Sequence, residues 1–317
     1  MNYEIFKGRD LGQDVLTPEQ LRLREEVLGG EIAGLIIGGP PGTGKTVLAE
    51  FLIDAFGIRK EDLFLAGQER RLQAGVGDEA SGMMTRTPEQ DAELDAEQLQ
   101  RMENVKPEDI SKGRVILIES HLGPILRNIA REANPNLPPM ITIEPTAPKK
   151  VRMRWIRDRS IRKQTEEIAK LEEKLGKLLH RDSPDAPLAE PEIIEHLYDK
   201  LKAEKAKHFT LASVTKHEND RDAGDTARFQ EIYPWAIGIK NLYDPDLVDE
   251  HGQKIYDIVI PVADLKLEEV PGVALERIIG YRRALEAEAN RPVLIEDDFP
   301  RPGDSRLIQG ALRNQLS

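Results

Sequence analysis

Gly39-Pro40-Pro41-Gly42-Thr43-Gly44-Lys45-Thr46 decides how this chain is read, and its flanks matter as much as its letters. A short apolar run, Leu35-Ile36-Ile37, stands before it, and Val47-Leu48-Ala49-Glu50-Phe51-Leu52 follows. The first reads as a buried strand and the second as a helix. The stretch fits G-x-x-x-x-G-K-[ST], a loop that presents successive backbone N–H groups at a helix N-terminus. Glycines at 39, 42 and 44 permit backbone angles and close approach that a Cβ would block, so the amides can wrap a β-phosphate. Residues 39 to 47, including Pro40, Pro41, Thr43 and Val47, are expected to bind a nucleoside triphosphate. Lys45 would reach the β- and γ-phosphates and Thr46 would ligate a metal, so ATP and Mg²⁺ are the expected cofactors.

A triphosphate loop needs an acid on a neighbouring strand. Gly113-Arg114-Val115-Ile116-Leu117-Ile118-Glu119 is an aliphatic run ending in a carboxylate, and it reads as a buried parallel strand. Glu119 is therefore the candidate both for catalysis and, with Thr46, for the Mg²⁺ shell. Further strands are expected at Leu63-Phe64-Leu65, Met140-Ile141-Thr142-Ile143 and Lys254 to Ile260. Alternation of these with helical segments predicts an α/β fold of three layers, α/β/α, around a mostly parallel five-stranded sheet of the P-loop NTPase kind. His121, just past Glu119, reads as a structural or surface residue.

Arginines then mark places for a second ligand. Arg70 and Arg71 sit among glycines beyond the second strand, where α/β sheets bind ligands and where a guanidinium fork suits phosphate oxygens. The densest cationic run, Lys149 to Lys163, contains Arg154 and Arg157, which fit a lid that neutralises charge on a transferring group. Arg221, Asp225 and Arg228 fall at i, i+4 and i+7 on one helix face, a salt-bridge ladder or a grip on phosphate and sugar.

The organisation follows from these landmarks. Residues 1–32 form an N-terminal brace, with Thr17-Pro18-Glu19-Gln20 opening a helix through about Val27. Residues 33–157 are the first part of the core, and 158–207 a helical hairpin acting as lid or insertion. Residues 208–290 complete the core, and 291–317 read as an extended tail. Within the hairpin Ile168, Leu171, Leu175 and Leu178 face Ile193, Ile194, Leu197 and Leu201. Such a hairpin could also carry a homo-oligomer contact or a protein partner.

Composition narrows the function classes. The 317 residues carry a net charge of −12, which disfavours a sequence-independent hold on nucleic acid. No cysteine is present, so disulfides and thiolate chemistry are excluded. No apolar run reaches membrane-spanning length, so no membrane partner is expected and the cytoplasm is the expected compartment.

With these residues in place, the chain resembles the nucleoside monophosphate kinases, in particular the guanylate and cytidylate kinase branches. Gly113 to Ile143 is similar to the guanylate kinase succession of apolar strand, acid, helix and strand. Tyr256-Asp257-Ile258-Val259-Ile260 followed by Asp264-Leu265 is similar to the closing strand of both branches, and Arg221-Asp222-x-x-Asp225-x-x-Arg228 resembles the R-D-x-x-D-x-x-R of cytidylate kinases. The resemblance implies transfer of the ATP γ-phosphoryl to a nucleoside monophosphate bound by Arg71, Arg221, Asp225 and Arg228, since Gly67-x-x-x-Arg71 is similar to the cytidylate kinase G-x-x-Y-R with Arg70 in place of the tyrosine. The sequence departs from the pattern where Ser120-His121-Leu122 follows Glu119 and no acceptor-binding arginine stands there. A kinase of another small molecule, such as a nucleotide sugar, is the nearest alternative. An AAA-type ATPase fits the loop, but Ser120 follows Glu119 where those proteins have an Asp-Glu pair. A nucleotide-binding scaffold is the third possibility.

Overall fold

The computed structural model describes residues 16–67, 69, 88–111, 113–179, 191–233, 239, 241–249, 251–266 and 268–289. They divide into two compact units, one drawn from 1–147 and 226–317 and the other from 148–225.

The first unit is built on five strands: β1 Gly34–Ile37, β2 Leu63–Leu65, β3 Ile116–Glu119, β4 Met140–Thr146 and β5 Ile258–Pro261. All neighbouring pairs are parallel, and the order across the sheet is β2-β3-β1-β4-β5. Every residue of β1 is buried, as expected for a parallel strand covered on both faces. The register aligns Ile37 of β1 with Glu119 of β3 and with Ile143 of β4.

Helices cover both faces. α1 spans Pro18–Leu28, α2 Lys45–Phe56, α3 Pro88–Glu103, α4 Pro107–Ser111, α5 Gly123–Ala133 and α9 Val270–Ala289. α5 lies on the face that carries Ile36 and Ile118. A Cβ added at Gly123 would stand 2.8 Å from Ile36 and 3.3 Å from Ile118. Leu94 and Met102 of α3 and Leu126 and Ala130 of α5 share a buried cluster with those isoleucines. α1, α2 and α9 pack on one another, with α2 also against β3 and α9 against β5. Thr46, at the head of α2, meets Glu119, which shares the row of Ile37, so α2 covers the opposite face. The expected α/β architecture with a five-stranded sheet is present, and the sheet is wholly parallel.

The N-terminal helix starts as its sequence predicts. Thr17 and Gln20 form a reciprocal capping box, Pro18 takes the first helical position, and Gly29 closes the helix at φ 64°. Its buried Arg24 donates to the carbonyls of Phe56 at 2.5 Å and Gly57 at 3.2 Å, satisfying orphan acceptors at the end of α2. Burial lowers the Arg24 pKa to about 10, although nearby Asp62 pulls it up.

The last strand is shorter than the run Lys254 to Ile260 predicts, because its first residues are committed elsewhere. Lys254 pairs with Val248 in an isolated antiparallel bridge. Asp257 instead becomes a junction. Its Oδ2 accepts from Arg127 Nη1 at 2.7 Å and from the Thr142 amide at 2.8 Å, and lies 2.9 Å from Thr142 Oγ1; its Oδ1 accepts from the Tyr281 hydroxyl at 3.0 Å. Arg127 is 2% exposed and also donates to the carbonyls of Met140 and Ile255. One carboxylate thus joins α5, β4 and α9.

The second unit is helical. α6 runs Lys149–Leu179, α7 Pro191–Ala206, and α8, Leu211–Ile232, begins in this unit and ends in the first. Leu171, Leu175, Leu197 and Leu201 form the buried seam between α6 and α7, with Ile168, Leu178 and Ile194 packed beside it. Ile193, expected in that seam, is 45% exposed. It precedes Ile194 by 100° of helical rotation, whereas Ile194, Leu197 and Leu201 keep the i, i+3, i+7 face. Among the described residues no helix is long and apolar enough to cross a membrane.

Candidate functional site

The glycine-rich loop joins the carboxyl end of β1 to the first turn of α2. Gly44, at φ 85° and ψ 18°, is the N-cap and supplies no side-chain oxygen to the first-turn amides. That turn contains no acidic residue. Its N–H donors and the helix dipole therefore favour an anion. Gly39, at φ 100°, meets a second demand besides its angle. A Cβ there would lie 2.8 Å from Glu144 Cγ and 3.2 Å from the Pro145 carbonyl oxygen.

Inside the loop, Thr43 Oγ1 and Lys45 Nζ both donate to the Pro40 carbonyl at 2.9 Å. Thr43 is buried, while Lys45 and Thr46 are half-buried. Thr46 Oγ1 donates to Glu119 Oε1 at 3.3 Å, so the residues proposed for metal binding meet across 73 positions of sequence. Parallel register at the strand ends brings them together. Ser120 is buried just beyond, and its hydroxyl accepts from the Leu122 amide. His121 is also buried, edge-on to the Tyr243 ring with centroids 6.2 Å apart.

A second acid, absent from the expectations, lies on the other side of the loop. Glu144 follows Ile143, the β4 partner of Ile37, and is fully buried beside Gly39. Its row is that of Thr142, so it lies on the α5 face while Glu119 lies on the α2 face. Tyr256 is 1% exposed, donates to the Leu242 carbonyl at 3.4 Å and borders Gly38. A Cβ at Gly38 would stand 2.9 Å from the Tyr256 ring and 2.5 Å from Pro124. Burial, and then the nearby Glu144 charge, push the Tyr256 phenol well above its ordinary value. The sequence signal for Glu144 was available: Met140-Ile141-Thr142-Ile143-Glu144 is an apolar run ending in an acid, like the run ending at Glu119.

The arginines expected to bind the acceptor are placed unequally. Arg70 and Arg71 lie outside the described residues. In the second unit, Arg154 is exposed on α6, and Arg157 forms a 2.7 Å ion pair with its neighbour Asp158. Arg221 stands 3.8 Å from Glu218 and 3.7 Å from Asp225, while Lys149 reaches Asp222 at 3.6 Å. Glu218 and Asp225 are both buried. Arg228 lies farther along α8 and is half-buried in the first unit. The i, i+4 relation of Arg221 and Asp225 is real, and it already joins them to each other.

No protein-family model matches this chain. No curated protein matches it. Among solved structures it is similar to a crystal structure, at 1.70 Å resolution, of a protein from Chloroflexus aurantiacus J-10-fl provisionally named a kinase. That match has 19% identity over 41% of this chain and 67% of the other, with a TM-score of 0.29. Superposition of that extent fixes neither fold nor activity for this chain, so the chemistry rests on its own geometry.

Proposed function

We propose that this chain is an ATP-dependent phosphotransferase of the P-loop type, moving the γ-phosphoryl of ATP to a small-molecule acceptor, with a nucleoside monophosphate as the first candidate. The observation that carries the reading is the meeting of Thr46 and Glu119 at 3.3 Å beside the N-terminus of α2. The donor set suits Mg²⁺: one hydroxyl and one carboxylate, both hard oxygens, leave the remaining positions to phosphate and water. Among the described residues no cluster of three or more acidic or histidine ligands occurs, and a Mg²⁺–nucleotide site does not need one. When bound, the ion would be held by Thr46 and Glu119 and would neutralise charge between the β- and γ-phosphates.

The chain's own groups account for the rest. First-turn amides of α2 face the phosphates with the positive end of the helix dipole. Lys45 exchanges its Pro40 carbonyl for phosphate oxygen, replacing a neutral acceptor with a charged one. Gly38 through Pro40 are buried, which fixes the start of the loop against the sheet. Arg154, Arg157 and Arg228, together with Arg70 and Arg71, remain the candidate groups for the transferring phosphoryl and the acceptor, whereas Arg221 and Asp225 are already engaged with each other.

The test is ADP release with Mg²⁺ and ATP across a panel of nucleoside monophosphates and nucleotide sugars. Release that depends on one acceptor supports transfer and names its class. Steady release without any acceptor would instead point to an ATPase motor or switch.

A further inference from the structure

We propose that Glu144 is a positioning residue for the phosphate loop, holding its opening turn through the methylene stem of the side chain; this rests on the donor-site reading above. Glu144 is completely buried at the carboxyl end of β4, one residue beyond the pairing of Ile143 with Ile37. β1 has ended at that level, and what stands beside Glu144 is the loop itself. Its Cγ lies 2.8 Å from the place where a Gly39 Cβ would be, and its nearer carboxylate oxygen 3.5 Å away. The stem is therefore the part that bounds Gly39.

The neighbouring glycine is bounded in the same manner. Gly38 is enclosed by the Tyr256 ring and by Pro124 at the start of α5. Its amide donates to the Ile143 carbonyl at 2.9 Å. Two consecutive loop residues thus have their positions set by β4, by the segment before β5 and by α5. Glu119 acts on the other face and at the other end of the loop, through Thr46. A loop that must aim several amides at one phosphate loses affinity when its first residue shifts, because alignment to within fractions of an ångström governs such sites.

Charge is not what this role requires. The contact with Gly39 is made by the methylene stem, so exchanging the carboxyl for an amide of the same length should leave binding intact. Shortening it should not. This contrast separates a positioning role from an electrostatic one with two conservative variants, neither of which leaves a large cavity.

The experiment is calorimetric titration of the full chain with ATP and Mg²⁺, for the natural protein, Glu144→Gln, Glu144→Asp and Lys45→Ala, with thermal melting of each as a check on folding. We expect Glu144→Gln to bind within about threefold of the natural chain and Glu144→Asp to bind about tenfold more weakly, with cooperative melting retained. Equal binding by Glu144→Asp and the natural chain would overturn the proposal, as would Glu144→Gln weakening more than Glu144→Asp. If the natural chain binds no ATP, or if Lys45→Ala binds it equally well, the donor-site reading falls and this proposal falls with it. Lys45-dependent binding that ignores Glu144 would remove the positioning role alone.

Discussion

Glu119 and Asp257 are both acids at strand ends of one sheet, and they are used in opposite ways. Asp257 is heavily engaged: its oxygens accept from Arg127, from the Thr142 amide and from Tyr281, and the Thr142 hydroxyl, 2.9 Å from both Asp257 Oδ2 and the Ile255 carbonyl, donates to one of the two. Among the described residues Glu119 takes one, a long 3.3 Å bond from Thr46. A carboxylate engaged as Asp257 is, and paired with a buried guanidinium, has little capacity left for a ligand, and its removal strands the remaining charge. A half-buried carboxylate with open lone pairs, next to a helix N-terminus, keeps its capacity for a metal shell. The difference lies in the degree of satisfaction and in strand position: Glu119 closes β3 at its carboxyl end, where α/β sheets bind ligands, whereas Asp257 stands just before the first residue of β5.

The comparison can be broken first at Asp257. Asp257→Ala leaves Arg127 buried without its anion and is expected to cost about 3 to 5 kcal/mol of stability, read from urea unfolding. A loss below about 1 kcal/mol would mean that the junction is not structural. Glu119→Gln should do the reverse. Its stability should stay within about 0.5 kcal/mol of the natural chain, while phosphoryl transfer drops by about 10²-fold, the scale of losing one aligned electrostatic group.

A smaller effect tests the satisfied side through pH. Burial, and then the charge of Asp257, raise the Tyr281 phenol above its ordinary value near 10. Burial also raises Tyr233 and Tyr256. Each holds its proton more tightly folded than unfolded. Between the unfolded pKa and the higher folded one, the native state therefore binds more protons, and stability falls as pH rises. Urea midpoints should decline from about pH 10 upward. Tyr281→Phe should flatten that decline by up to about 1.4 kcal/mol per pH unit. An unchanged slope would separate Tyr281 from the junction.

Arg221 should give the smallest change. Its charge is already engaged by the buried carboxylates of Glu218 and Asp225, at 3.8 and 3.7 Å. Arg221→Ala is expected to alter acceptor KM by less than about threefold, because its charge is already engaged. A tenfold rise in acceptor KM at unchanged kcat would instead place Arg221 on the acceptor.

The amino-acid sequence made the donor side legible because that side is local. Eight consecutive residues define the loop, an apolar run precedes it, and a helical pattern follows. Glu119 was legible because its strand is an unbroken aliphatic run. Glu144 ends a similar run, but only the register against β1 shows that it borders Gly39 on the α5 face. Asp257 was read as one residue of a closing strand. Its partners Arg127 and Thr142 lie 130 and 115 positions away, a pairing that no short-range pattern encodes. On α8 the helical spacing of Arg221 and Asp225 was readable, but the competing carboxylate of Glu218, three residues earlier, determines how far the arginine is already neutralised.

The most direct test of the central claim is the Mg²⁺ dependence of ATP binding to the natural chain, measured by calorimetry with Mg²⁺ present and with it chelated, and repeated on Glu119→Gln. The account predicts that Mg²⁺ strengthens ATP binding to the natural chain and that most of this gain is lost in Glu119→Gln. Binding that is equally strong with and without the ion, or a Mg²⁺ gain that survives the substitution intact, would contradict the assignment of Thr46 and Glu119 as the metal-holding pair.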